Sequence, residues 1–230
     1  MIDKEKALDI LREINTIGAA RVATVLSEML GAKVDLVFPV AEFISYKKLV
    51  ARLGLEEIFF VIESTLEGDI SGKLAFLLHP ADARILGGNL LKKLPAEIDP
   101  ADQLFQSALQ ETLNIFAGSY TAVLSEMTRL SILYNVPVLN LGPVACYLES
   151  IPRQFCSPEH MFFLNAKITI ENIRFKGALL LLLDYNSVKK LFEALGEWEL
   201  VSWMEKVRQV PWSEHNTEEG GTFPDVEYLR

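Results

Sequence analysis

Long apolar runs are missing from this chain, as are clustered cysteines, clustered histidines and any excess of basic residues. No stretch of about 18 uninterrupted apolar residues occurs, which argues against a membrane-spanning helix. The longest apolar stretch, Ala178 to Leu183, is strand-sized. The opening Met1-Ile2-Asp3-Lys4-Glu5-Lys6 is charged and lacks the apolar core of a signal peptide, so a cytoplasmic location is expected. The two cysteines, Cys146 and Cys156, lack Cys-x-x-Cys spacing and read as reduced thiols. The three histidines, His79, His160 and His215, are scattered, with no neighbours at metal-site spacing. His79, after an apolar run and before Pro80, reads as a strand end rather than a ligand. A Gly-rich phosphate loop and a Ser-His-Asp order are also missing, which leaves a small-molecule enzyme with little support.

The net charge of −9 disfavours nucleic acid, whose phosphates need clustered Lys and Arg. It favours partners that present basic side chains. Part of the charge is local: Glu214, Glu218, Glu219, Asp225 and Glu227 face only Arg230 in the last twenty residues. That segment is polar and acidic, and is expected to be mobile.

Half of the 230 residues are apolar, enough for a substantial core. Residues 3–30 carry Leu8, Leu11, Ile14, Ile17, Val22, Val25, Leu26 and Met29 at helical spacing, with Gly31 as a stop. Residues 33–52 are rich in β-branched and aromatic types and read as strand. A strand at 57–66, turn residues 67–72, a return strand from Lys73 to His79 and a helix from Pro80 to about Lys93 follow. Residues 95–101, with Pro95 and Pro100, form the best linker. The order then recurs: a helix at 102–129, strand at about 138–150, strands at 161–171 and 174–184 around an Asn172-Ile173 turn, and a helix at 186–195. Trp198 to Val210 is amphipathic and compatible with a helix.

The expected fold is therefore α/β in the α+β sense. Two pseudo-symmetric helix–strand–hairpin–helix halves, 1–94 and 102–196, share a mixed or antiparallel sheet flanked by long helices. Residues 197–230 form a C-terminal extension, partly mobile. With the pseudo-two-fold satisfied internally, a monomer is the simpler expectation.

The two long helices overlay. Asp9, Glu13, Thr16 and Pro39 match Ser107, Glu111, Asn114 and Pro137 at a constant offset of 98. Gly72 and Gly177 correspond at an offset of 105 and mark matching hairpin turns. The extra seven residues point to an insertion around 151–158 in the second half. Positions i, i+4 and i+7 lie within about 60° on a helix. Ser107, Glu111 and Asn114 therefore form one polar stripe, while Leu109, Leu113, Phe116 and Leu124 point inward. Such a stripe is usually the wet face of an amphipathic helix, and a repeat alone shows common descent rather than chemistry.

The pattern Asp-or-Ser, three residues, Glu, two residues, Asn, 22 residues, Pro resembles the signature of the CheC, CheX and FliY phosphatases of chemotaxis. The second copy matches it throughout; the first has Thr16 in place of Asn. Leu11 to Ala20 and Gly68-Asp69-Ile70-Ser71-Gly72 also look like CheC. Two motifs in one chain favour the CheC arrangement over CheX, which has one motif and dimerises. The resemblance implies a protein aspartyl-phosphate phosphatase acting on a phosphorylated CheY-like receiver domain. By it, Asn114 orients the attacking water and Glu111 pairs with the regulator's active-site lysine. The regulator supplies its own Mg²⁺, so no cofactor is expected on this chain. Ser107 and Pro137 are read as support. Threonine's shorter, branched side chain makes the first site, Asp9, Glu13, Thr16 and Pro39, weak or silent. Asn15 cannot substitute, because one residue turns the side chain by about 100°. CheD is a further partner the resemblance implies. The alternative is a non-catalytic interaction module like the related FliM middle domain.

Overall fold

The computed structural model describes residues 2–43, 46–54, 56–152, 161–171 and 173–208. Cys156, most of the expected insertion and the acidic tail lie outside the described residues.

The first half runs α1 (Ile2–Leu30), β1 (Val34–Phe43), α2 (Tyr46–Leu53), β2 (Ile58–Gly68), β3 (Gly72–Leu78) and α3 (Pro80–Leu91). A 3₁₀ turn at Pro95–Glu97 leads to the second half. There α4 (Gln103–Thr128) is followed by β4 (Ile132–Tyr134), β5 (Val138–Pro143), α5 (Val144–Ser150), β6 (Met161–Ile170), β7 (Ile173–Leu183) and α6 (Tyr185–Ala194). Helix α7 (Trp198–Arg208) closes the described chain. Its Leu200 and Val201 are buried in the main core, so this part of the extension is packed structure.

All described strand pairings are antiparallel. The order is β1-β6-β7-β3-β2-β4, with β5 also on β2. The halves interlock. The β1 strand of the first half pairs with β6 of the second, while β4 and β5 of the second pair with β2 of the first. The hairpins meet at the centre through β3 and β7. These central strands are buried on both faces, which explains their nearly unbroken apolar sequence. In β7, Leu179, Leu181 and Leu183 join the core under α1, α3, α4 and α6; Leu180 and Leu182 join a second core under α2 and α5.

Several sequence expectations are corrected. Residues 33–52 are strand only to Phe43; α2 follows, because Leu49 and Leu53, four apart, bury one helical face in the second core. Likewise 138–150 is strand only to Pro143. Val144, Tyr147 and Leu148 then bury the inner face of α5. β-Branched and aromatic content masked the helical period in both segments. Gly177 marks no turn. It lies inside β7 opposite Ala166, where a Cβ would come 2.4 Å from the Phe76 ring. The second hairpin instead closes at Ile170 and Ile173, one residue earlier than expected.

The long helices run side by side in one direction. Tyr120 donates to Asn15, and Arg21 donates twice to Glu126, at 2.9 and 2.8 Å. Both ties span 105 residues of sequence, so the contacts advance in step along α1 and α4.

Candidate functional site

Helix α4 is held at both ends. Asp102 caps its start by accepting from Leu104 N at 2.9 Å, and Arg129 ends it in a left-handed conformation. Leu109, Leu113, Phe116 and Leu124 are all buried beneath it. The opposite face carries the stripe: Ser107 and Glu111 are exposed, and Asn114 is half-buried. The Asn114 amide Nδ2 lies 3.4 Å from Glu111 Oε2. That is at the long end for a hydrogen bond, so Asn114 keeps donor and acceptor capacity, and Glu111 acceptor capacity, for a partner.

Nine residues separate Glu111 from Tyr120, which at 100° per residue puts them on opposite sides of α4. The stripe thus faces away from the α1–α4 seam. Glu13 is turned from the seam residue Asn15 by about 160° in the same way. The two motifs look outward from a shared helix pair rather than into one common cleft.

Pro137 is buried and stands immediately before β5. Its carbonyl accepts from Gln110 Nε2 at 2.9 Å. This bond ties the strand entry to the helix residue next to Glu111 in sequence. In the first half the matching break is a register shift between Val37 and Val40 in the β1–β6 ladder, around Pro39. The proline therefore marks the same structural event twice: the first strand of each half changes register there. Nothing in the motif pattern pointed to Gln110. Its signal lies only in the offset of 98, which aligns it with Arg12.

The first site differs chemically. Asp9, Glu13 and Thr16 are all exposed on α1. The Thr16 hydroxyl donates to Arg12 O at 2.8 Å, one turn back on its own helix. The Arg12 guanidinium pairs with Asp9 at 2.8 Å. This motif thus carries a cation in its midst, with its hydroxyl proton committed to the backbone. Asn15 turns inward and is buried against Tyr120.

Elsewhere, His79 follows β3 and caps α3, its Nδ1 accepting from Ala81 N at 3.4 Å. Cys146 is exposed and free. No group of three or more His, Cys, Asp or Glu among the described residues is placed to hold a metal. No helix there is long and apolar enough to cross a membrane.

No family profile matches the chain. A curated relative does: the CheY-P phosphatase CheC of Bacillus subtilis (strain 168) is 31% identical over 199 residues, covering 84% of this chain and 95% of the relative. The chain belongs to the CheC family.

Solved structures agree on the fold. FliY of Thermotoga maritima superposes with a TM-score of 0.69 at 19% identity, over 86% of this chain and 99% of that one. The FliM middle domain of H. pylori gives 0.59 at 13% identity, over 82% and 98%. At these identities the likeness concerns architecture alone.

Proposed function

We propose that this chain is a phosphatase for the aspartyl phosphate of a CheY-like receiver domain, acting through the second-half motif. The observation that carries the proposal is the pair of adjacent tips, Glu111 and Asn114, on the outer face of α4 in a member of the family whose curated relative is a CheY-P phosphatase.

Hydrolysis of an acyl phosphate needs a water in line with the phosphorus. The water oxygen bonds to phosphorus, the bond to the aspartyl oxygen breaks, and the water gives up a proton. Inorganic phosphate and a free aspartate result. A carboxamide suits the positioning, because Asn114 donates and accepts without titrating. Glu111 supplies a carboxylate for the receiver's active-site lysine, a charge-assisted contact that fixes the two proteins in register. Mg²⁺ would be held by the receiver rather than by this chain, and would supply charge neutralisation there. Ser107 shapes the helix surface, and Pro137 with Gln110 holds the adjoining strand.

The first motif works differently in this reading. The Arg12 cation beside Glu13 disfavours a lysine-bearing partner, and the Thr16 proton is already engaged with Arg12 O. This half is the silent one, close in character to a non-catalytic interaction module. CheD, the other partner implied by the family, has no assigned surface in this proposal.

The decisive experiment follows loss of radiolabelled phosphate from a receiver domain in the presence of wild-type protein or Asn114→Ala. Faster decay with wild type than with the variant supports the assignment. Decay at the spontaneous rate with both overturns it.

A further inference from the structure

The two ends of the sheet are pseudo-equivalent, yet they differ in charge. One outer strand is β1, the other is β4 continuing into β5. The β1 edge carries Lys33 and Asp35, paired at 3.2 Å, and Glu42 in sequence. At the offset of 98 these positions become Ser131, Leu133 and Asn140. From Leu130 to Leu148 not one Asp, Glu, Lys, Arg or His occurs. Solvent-facing edge strands ordinarily carry charges that prevent pairing with other chains. Here the second-half edge instead exposes apolar side chains: Val136 is 84% exposed, Leu133 62%, Val138 56% and Leu141 49%.

This edge borders the Glu111–Asn114 stripe. Leu141 pairs with Phe60, whose ring meets Phe105 edge-on at 5.5 Å, so Leu141 lies near the start of α4. Exposed Leu104 sits there too, on the stripe's own face, seven residues before Glu111. Further along, Pro137 is bonded to Gln110. Val136 precedes Pro137, between that bond and Tyr134, whose hydroxyl lies against Gly118 of α4. Tyr134 and Leu139 pack on α4's side of the sheet, and Leu141 shares that side, whereas Leu133 and Val138 face the other side, opposite Glu67 and Glu63. The exposed apolar side chains beside the stripe are therefore Leu141 and Leu104, with Val136 on the connection between β4 and β5.

We propose that the β4–β5 edge, with Leu104, is the docking face for the body of the phosphorylated receiver domain, and that the charged β1 edge is not. The proposal rests on the phosphatase reading of Glu111 and Asn114. Two polar tips bring specificity but little buried area; a stable encounter needs apolar surface alongside them. Among the described residues the second-half edge exposes more of it, Val136, Leu133, Val138 and Leu141, where the first-half edge exposes Val37. The charge asymmetry of the edges and the asymmetry of the motifs then have one cause: one half engages substrate.

The test uses the full chain and CheY of Bacillus subtilis phosphorylated by acetyl phosphate, with phosphate release measured at varied CheY-P. The variants are Val136→Asp, Leu141→Asp, Asn114→Ala and, on the opposite edge, Val37→Asp. Thermal unfolding checks each fold; Val136, the most exposed of these, decides the matter if Leu141→Asp unfolds. We expect Val136→Asp and Leu141→Asp to raise KM by at least about fivefold at unchanged kcat. Val37→Asp should leave both constants alone, and Asn114→Ala should lower kcat. Unchanged KM in both edge variants, with activity lost in Asn114→Ala, overturns the docking face and leaves the site reading standing. Equal activity of wild type and Asn114→Ala removes the site reading and this inference with it. A wild type that sediments as a dimer, split by Val136→Asp, shows a second copy on the edge and also overturns the proposal.

Discussion

The Tyr120 hydroxyl donates to Asn15 Oδ1 at 2.6 Å inside the seam between α1 and α4. Both side chains are buried, and Asn15 Nδ2 has no hydrogen-bond partner among the described groups. The bond joins the two helices that carry the two motifs and sets their register. Gly18 makes room for it, since a Cβ there would lie 3.1 Å from the Tyr120 ring.

Removing the hydroxyl leaves Asn15 with a second unpaired polar atom in a dry site. Tyr120→Phe is expected to destabilise the fold by about 1–3 kcal/mol, measured by denaturant unfolding at neutral pH. Burial raises the Tyr120 phenol well above its usual pKa of 10.0. The folded state then holds a proton that the unfolded state releases, so this contribution is lost as pH rises above about 10. The gap between wild type and Tyr120→Phe should narrow in that alkaline range. A constant gap would show that the phenol does not titrate differently in the two states.

The two motifs give a kinetic contrast. Asn114→Ala should slow receiver dephosphorylation on the order of 10²-fold, because the water loses its positioning group. Thr16→Ala should leave the rate unchanged, since the hydroxyl it removes donates within α1. Single-turnover decay of a phosphorylated receiver measures both. Equal losses would mean that the halves share the chemistry.

The outward stripe on α4 was legible because a rigid helix converts spacing directly into a face. Leu109, Leu113, Phe116 and Leu124 are buried as their period requires. The exchange of first strands was not legible. Nothing local in Val34–Phe43 says that its partner is β6, more than a hundred residues away, rather than β2. Short α2 and α5 were hidden for another reason. Each has only two turns, and apolar residues spaced three and four apart resemble alternation when the window is that short. Gln110 was invisible because a backbone carbonyl, Pro137 O, is its partner, and sequence carries no mark of that.

Asp82 offers a test of buried charge. Desolvation raises its pKa, opposed by the Lys176 N–H at 3.1 Å and by the charges of His79 and Lys176. Its folded pKa lies above its unfolded one, so the folded state gains stability as pH falls and loses it as pH rises through that interval. Asp82→Asn keeps an oxygen to accept from Lys176 N and removes the charge. At pH 7 the variant should melt at or above the wild-type temperature. Its advantage should shrink as pH falls through the Asp82 pKa, where wild type becomes neutral too. A variant that melts lower at pH 7 would show that the ionised carboxylate is held by more than these groups.

Gly87 sits inside α3, where a Cβ would come 2.3 Å from the Phe105 ring. Helix propensity alone favours Gly87→Ala by about 1 kcal/mol. Packing opposes it: Phe105 is fully buried and stacks edge-on against Phe60, so the ring has nowhere to retreat. Overpacking of this kind costs about 1–3 kcal/mol, and that term should win. Gly87→Ala is therefore expected to lower the unfolding midpoint despite the better helix former. Phe105→Leu in the same background makes room for the new methyl and should recover part of the loss. If Gly87→Ala is instead more stable, Phe105 can move, and the start of α4, with Leu104 and the stripe beyond it, is less rigidly seated than its packing implies.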